Sequence, residues 1–159
     1  MSLVVKDFEK QKIVRNQQVI DLVKSLPIKH LKGLTHIVFD PSGFYRRSYA
    51  EPKIMSSNIL GEYNSLPTHY ICINKFRNLD EFHHVLAHEV GHHVYQCFLT
   101  SIQRKAWMKL YREIGRFVSD YAQTNPEEDF AESYAFYALK KTRISRISSK
   151  NKFLSSVFN

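Results

Sequence analysis

Apolar residues at helical spacing dominate the first part of the chain. Between Asp7 and Leu26 they recur three or seven positions apart, and Pro27 closes the segment: Ile13, Ile20, Val23 and Leu26. Residues at this spacing fall on one face of a helix, and proline cannot continue a helix. The pattern therefore predicts an amphipathic N-terminal helix.

Between residues 34 and 75 the pattern changes to short runs rich in β-branched and aromatic residues. The runs are Thr35–Phe39, Ile59–Tyr63 and His69–Asn74, and the segments Asp40–Gly43 and Ser65–Pro67 separate them. Runs of this length bounded by Gly, Pro, Asp and Ser are typical of strands joined by turns. We expect a small, mostly antiparallel sheet.

Helical patterns return in the second half of the chain. One helix is predicted from Asp80 to about Phe98 and another from Ser101 to about Val118. A third is expected at Asn125-Pro126, because Asn is a favoured N-cap and Pro a favoured first helical residue. The order of helix, small sheet and helices predicts an α+β fold with a single domain.

Composition narrows the class of protein. With 159 residues, of which 43% are apolar, one domain can bury a sizeable core. Two cysteines exclude a disulfide framework and a four-thiolate zinc site. The longest apolar runs fall far short of the roughly 20 residues that a membrane-spanning helix needs. Charged residues begin at Lys6, soon after Met1-Ser2-Leu3, where a secretory signal would be apolar. We therefore expect a cytoplasmic protein, with secretion left open if a signal peptide has been removed.

The net charge of +8 is concentrated at the C-terminus. Residues 1–139 contain 17 Lys and Arg against 15 Asp and Glu, whereas residues 140–159 contain six basic residues and no acidic one. We therefore predict a domain over 1–139 and a basic, Ser-rich, partly frayed tail over 140–159. The tail could make weak contacts with an anionic partner, but it lacks the interleaved aromatic residues of nucleic-acid platforms.

The segment His88-Glu89-Val90-Gly91-His92 is an H-E-x-x-H motif. Its two His are four residues apart, so both rings lie on one face of a helix and can reach the same ion. Zinc suits two neutral nitrogens and can hold a water from which Glu89 would accept a proton. The alternative interpretation is a pair of ordinary helix histidines.

A third ligand has to come from elsewhere in the chain. A metzincin-like continuation would require Gly and His where the chain has Tyr95 and Phe98. The remaining source is a carboxylate of the later helix, where Glu128 and Glu132 share a face. Either one can bind zinc while the other orients a histidine. Glu127 and Asp129 are also explained by an acidic helix start, where carboxylates stabilise the positive end of the helix.

These motifs resemble the gluzincin peptidases, specifically the group that contains the anthrax lethal factor catalytic domain and the bacterial Pro-Pro endopeptidases. The resemblance covers roughly residues 68–139 and rests on the H-E-x-x-H motif and the segment Tyr121–Glu132. It implies a zincin-like fold, with Zn²⁺ as cofactor, Glu128 as third ligand and Glu132 beside the ligands. Tyr121 would correspond to the family's oxyanion-stabilising tyrosine, although it can also be an ordinary interfacial aromatic residue. Asp129 departs from the family's pattern, in which a large apolar residue is expected.

The resemblance also implies an edge strand above the zinc that pairs with an extended substrate. The matching residues are Tyr70, Ile71, Cys72, Ile73 and Asn74. An ordinary core strand fits the same alternation of apolar residues.

The sequence predicts a zinc endopeptidase that hydrolyses a protein or peptide through a zinc-activated water, with Glu89 as general base. One alternative is a regulatory metallopeptidase-like protein that acts on or binds a single repressor-type partner. A second alternative, from another class, is a nucleic-acid-associated module in which zinc is structural.

Overall fold

A computed structural model of the protein describes residues 2–43 and 60–159. In this part of the chain a four-stranded sheet is combined with six α-helices. The strands are β1 (Val4–Lys6), β2 (Leu34–Phe39), β3 (Gly61–Asn64) and β4 (His69–Ile73). The helices are α1 (Asn16–Ser25), α2 (Leu79–His93), α3 (Ser101–Ile114), α4 (Pro126–Ala138), α5 (Thr142–Ser145) and α6 (Ser148–Phe158). The expected mixture of helices and a small sheet is therefore present.

The sheet has the strand order β1-β2-β4-β3. The pairs β1–β2 and β2–β4 are parallel, and only β3–β4 is antiparallel. The predicted mostly antiparallel sheet is therefore wrong. Helix α1 lies between β1 and β2, and such a crossover returns the chain in the same direction, whereas the short turn after β3 reverses it.

Strand β4 is internal, because β2 pairs with one side of it and β3 with the other. The prediction that His69–Asn74 forms an edge strand is therefore wrong. Its residues Tyr70 to Ile73 are all buried, as a near-continuous apolar run in a central strand would be. Among the described strands β3 is the edge strand on that side of the sheet.

The starts of the later helices follow their capping residues. The side chain of Asn125 accepts a hydrogen bond from the backbone N–H of Glu128, and Pro126 is the first residue of α4, which confirms that prediction. Helix α2 begins one residue before Asp80, because Asn78 is its N-cap. Helix α3 ends at Ile114, before Gly115, which has a φ of +61°. Near the N-terminus the helix occupies only Asn16–Ser25 of the predicted span.

Helices α2 and α4 cross so closely that the backbone of α2 at Gly91 contacts the backbone of α4 at Ala131. A Cβ atom added to Gly91 would lie 2.8 Å from the Cα of Ala131 and 3.2 Å from the Cβ of Tyr134. Since side chains do not tolerate carbon contacts this short, only glycine fits at this crossing. The absence of a side chain at Gly91 therefore permits the short helix separation on which the candidate site depends.

The C-terminal residues pack into the fold. Helices α5 and α6, with the N-cap residue of α6, contribute buried apolar side chains, namely Ile144, Ile147, Leu154 and Val157. Lys150 is fully buried and its Nζ lies 2.9 Å from Oδ2 of Asp129, which is also fully buried. The predicted solvated, frayed tail is therefore wrong. Asp129 lies in the acidic first turn of α4, as predicted, and also forms a buried ion pair. Among the described residues, no helix combines the length and apolar character needed to cross a membrane.

Candidate metal centre

The two motif histidines converge with one carboxylate. The Nε2 atoms of His88 and His92 lie 3.1 Å apart on the face of α2 that meets α4. From the first turn of α4, Oε2 of Glu128 lies 3.1 Å from the Nε2 atom of His88 and 3.2 Å from that of His92. The three atoms thus form a nearly equilateral triangle.

The size of this triangle fits zinc. Bonds of about 2.0 Å in tetrahedral geometry place neighbouring ligand atoms about 3.3 Å apart. Oε2 of Glu128 is buried. Among the described residues it makes no hydrogen bond, although the Nε2 atoms of His88 and His92 lie within 3.2 Å of it. Two His nitrogens and one carboxylate oxygen are also a donor set that zinc accepts, with one position left open. His88, His92 and Glu128 therefore could hold a metal ion.

The other ring nitrogens face carboxylates. Nδ1 of His88 lies 3.0 Å from Oε1 of Glu132, and Nδ1 of His92 lies 3.2 Å from Oε1 of Glu127. A carboxylate in this position favours a proton on Nδ1, which leaves the Nε2 lone pair directed at the centre of the triangle. Glu127 thus faces Nδ1 of His92 in the same way as Glu132 faces Nδ1 of His88. The sequence analysis did not assign this role to Glu127.

The surrounding carboxylates favour positive charge at this point. Burial alone would lower the pKa of His88, but Glu128 and Glu132 raise it to about 10. In the same way Glu127 and Glu128 overcome burial and raise the pKa of His92 to about 9. Burial would raise the pKa of Glu128, yet the two histidines lower it to about 2. A divalent cation supplies the charge that these groups otherwise obtain from protons.

Glu89 lines the same cleft from the helix α2 side. Its side chain is buried, and burial raises the pKa of its carboxyl group. Its Oε1 atom would lie only 3.2 Å from a Cβ atom built on Gly61, so the carboxylate reaches the backbone of β3. Glu89 therefore stands between the candidate metal ligands and the edge of the sheet.

Tyr121 lines the same cleft from a short 3-10 helix before α4. Its ring centroid is 5.8 Å from that of His88, and 54% of the residue is exposed. Burial of the hydroxyl, together with the nearby Glu128 carboxylate, raises the pKa of Tyr121 to about 12. The phenol therefore remains a proton donor at neutral pH.

A further chain of polar contacts extends behind the ligands and was missed by the sequence analysis. Nε2 of His84 lies 3.1 Å from Oε1 of Glu132, the Ser119 hydroxyl donates to Oε2 of Glu132 at 3.2 Å, and Nζ of Lys141 lies 3.0 Å from Nδ1 of His84. His84 precedes His88 by four residues, so the repeated spacing of histidines was a signal for it. Glu132 is therefore fixed between His84 and His88.

The cleft at the site has two parts. A part of about 300 Å³ contains the metal-site residues and the backbone of β3 from Gly61 to Tyr63. A more apolar part of about 550 Å³ lies towards Leu60, Val85 and His84. The predicted substrate residues Tyr70–Asn74 line neither part, because β3 lies between them and the cleft.

Comparison with known proteins gives little further information. No protein-family profile matches the chain, and no curated protein matches it. A solved chain from Bacteroides caccae, described as a candidate zinc-binding metallopeptidase, aligns at 13% identity with a TM-score of 0.43 over 96% of this chain and 74% of that chain. A likeness at this level carries no functional argument. The resemblance to the lethal factor group therefore stays a prediction from sequence.

Proposed function

We propose that the protein is a zinc-dependent endopeptidase. The observation that carries the proposal is the triangle of His88, His92 and Glu128, with edges of 3.1 to 3.2 Å, in a cleft that also contains Glu89. A bound zinc ion would supply a Lewis acid beside Glu89 and would lower the pKa of a bound water to about 7. The gluzincin resemblance of the sequence supports the same ligand set.

Glu89 would act as general base and then as acid. It would accept a proton from the attacking water and donate it to the nitrogen of the leaving amine. Its buried position supports this role, because burial raises the pKa of the carboxyl group and makes it a stronger proton acceptor than an exposed Glu. Tyr121 would donate a hydrogen bond to the oxygen of the tetrahedral carbon.

The substrate would pair with β3 rather than with β4. Strand β3 is the edge strand of the described sheet, and its residues Gly61, Glu62 and Tyr63 line the cleft. An extended peptide can add to such an edge through main-chain hydrogen bonds. Gly61 lets this edge strand lie close to α2, because a Cβ atom there would lie 2.6 Å from a methyl group of Val85 and 3.2 Å from Oε1 of Glu89. The proposed substrate is therefore an extended segment of a protein or peptide.

The test of catalysis compares Glu89→Gln with the parent protein. Both would be loaded with zinc, and cleavage of a diverse peptide library would be read by mass spectrometry. We expect the variant to keep its zinc and to lose hydrolysis, because the amide cannot accept the proton. Equal turnover by the two proteins would remove Glu89 from the mechanism, and no cleavage by the parent would refute the proposed activity.

The test of the ligand set compares three carboxylates of α4. Glu128→Ala should remove most of the zinc affinity, because it deletes a corner of the triangle. Glu132→Ala and Glu127→Ala should each weaken zinc by about 10- to 100-fold, as is typical when a group that orients a ligand is lost. Zinc titration against a competing chelator measures all three. Retention of full affinity in Glu128→Ala would contradict the assignment.

A further inference from the structure

A second group of metal-binding side chains lies on another face of helix α2. It comprises His93 at the end of α2, Cys97 in the following π-helical turn Val94–Phe98, and His69 at the start of β4. One ligand atom from each of the three lies within 4.8 Å of the others. His93 and Cys97 are four residues apart, the same spacing as His88 and His92, so they share a helical face. We call these residues the His-His-Cys cluster.

The hydrogen bonds of His93 orient its lone pair into the cluster. Its Nε2 atom lies 2.9 Å from the backbone oxygen of Lys32, which can only accept a hydrogen bond. Nε2 must therefore carry the proton, and Nδ1 carries the lone pair. Nδ1 faces the Tyr63 hydroxyl at 3.0 Å. A backbone carbonyl that fixes the tautomer of a histidine in this way is a common arrangement behind a metal ligand.

The Tyr63 hydroxyl marks the point where the potential ligands converge. Besides its contact with His93, it lies 2.6 Å from Nδ1 of His69 and 3.6 Å from Sγ of Cys97. Sγ of Cys97 lies 3.7 Å from the same Nδ1 atom of His69. Tetrahedral zinc, with bonds of about 2.0 Å to nitrogen and 2.3 Å to sulfur, requires a nitrogen to sulfur separation of about 3.5 Å. The 3.7 Å between the His69 and Cys97 atoms is close to this separation.

We propose that the His-His-Cys cluster is a second zinc site, separate from the candidate metal centre at His88, His92 and Glu128. Two neutral imidazoles and one thiolate are a favourable donor set for zinc. Binding would release the thiol proton of Cys97 to solvent and shift the proton that Nδ1 of His69 donates to the Tyr63 oxygen onto its Nε2 atom. It would form one zinc to sulfur and two zinc to nitrogen bonds in place of the hydrogen bonds of the Tyr63 hydroxyl. Exposure of Cys97 provides a route for the ion.

Zinc at this site would connect the sheet to the end of α2. His69 belongs to β4 and Tyr63 to β3, whereas His93 and Cys97 follow directly on the helix that carries the proposed catalytic residues. Tyr63 also lines the cleft of the candidate metal centre. The second ion would therefore tie β4, which pairs with β3 beside that cleft, to the end of α2.

The experiment uses zinc alone, added to the protein of residues 1–159 from which metal has been removed. We expect about two zinc ions per chain and X-ray absorption that shows a sulfur neighbour at about 2.3 Å. Cys97→Ala should bind about one zinc ion and lose the sulfur neighbour. Cys72→Ala is the matched control, because Cys72 is buried on β4 and should leave both results unchanged. Circular dichroism and thermal unfolding check that each variant folds.

A second variant separates this proposal from the proposed function. His92→Ala should remove the ion at the candidate metal centre and retain one zinc ion with the sulfur neighbour. A parent protein that binds zinc without any sulfur neighbour would overturn the second site, whatever its peptidase activity. So would a sulfur signal that persists in Cys97→Ala. Inactive protein that still shows the Cys97-dependent signal would refute only the proposed function.

Discussion

Replacing Gly91 by Ala should weaken zinc binding without touching any ligand. The new Cβ atom would lie 2.8 Å from the Cα and 3.1 Å from the carbonyl oxygen of Ala131. Carbon atoms in contact are normally about 3.5 to 4.0 Å apart, so α2 and α4 would have to separate by about 1 Å. Both neighbouring atoms belong to the backbone of a buried helix, so no side-chain rotation can relieve the contact.

The separation matters because the zinc ligands lie on both helices. His88 and His92 belong to α2, whereas Glu128 lies three residues before Ala131 on α4. Metal sites tolerate deviations of only about 0.2 Å, so we expect zinc affinity to fall by at least about tenfold. The effect on folding is smaller. Alanine improves helix propensity by about 1 kcal/mol, and overpacking costs about 1 to 3 kcal/mol, which leaves a net loss of about 1 kcal/mol.

Zinc affinity would be measured by chelator competition in the Cys97→Ala background, so that only the candidate metal centre is titrated. Urea unfolding in the presence of chelator gives the stability of each metal-free protein. Val19→Ala is the control, because it creates a cavity in the core worth about 2 kcal/mol and leaves the packing of α4 on α2 intact. It should lose stability and keep its zinc affinity. Unchanged zinc affinity in Gly91→Ala would refute the link between helix separation and metal binding.

Three further predictions concern individual side chains. Tyr121→Phe should retain zinc and slow peptide hydrolysis by about 10- to 1000-fold, and an unchanged rate would exclude an oxyanion role. Lys150→Met should lower the free energy of unfolding by about 3 to 5 kcal/mol because it leaves Asp129 buried without its cation, whereas adding Asp129→Leu should restore stability in urea denaturation. Burial lowers the pKa of His30, so the stability that it contributes is complete above about pH 6.5 and is lost as pH falls through the lower folded value. His30→Gln should flatten that part of the pH profile of unfolding, and an equally steep profile would assign it to other groups.

Local signals predicted the helical half of the protein well. The start of α4 follows from Asn125 and Pro126, and the motif helix carries His88 and His92 on one face, as four-residue spacing requires. The choice of Glu128 over Glu132 came from the resemblance rather than from geometry, since both lie on the same helical face. The structure places Glu128 at the ring nitrogens that face each other and Glu132 behind His88.

The pairing of strands could not be read from the same signals. The periodicity of a run indicates a strand but not its neighbours, which depend on crossovers such as the one through α1 between β1 and β2. Apolar residues in the run before α2 fit an internal strand and an edge strand alike, and the internal position occurs. The C-terminal helices did carry a signal, because Ile144, Ile147, Leu154 and Val157 recur three or seven residues apart. The excess of basic residues in the same segment indicates a solvated tail and obscures that pattern.

The buried pair of Lys150 and Asp129 makes the candidate metal centre dependent on the far end of the chain. Asp129 follows Glu128 directly, and its countercharge arrives from 21 residues later in the sequence. A chain shortened after Leu139 would retain the complete set of motifs and proposed ligands, and yet it would carry an uncompensated carboxylate beside one of them. A search or an engineering effort guided by motifs alone would accept such a fragment. The integrity of this site therefore has to be judged over the whole length of the chain.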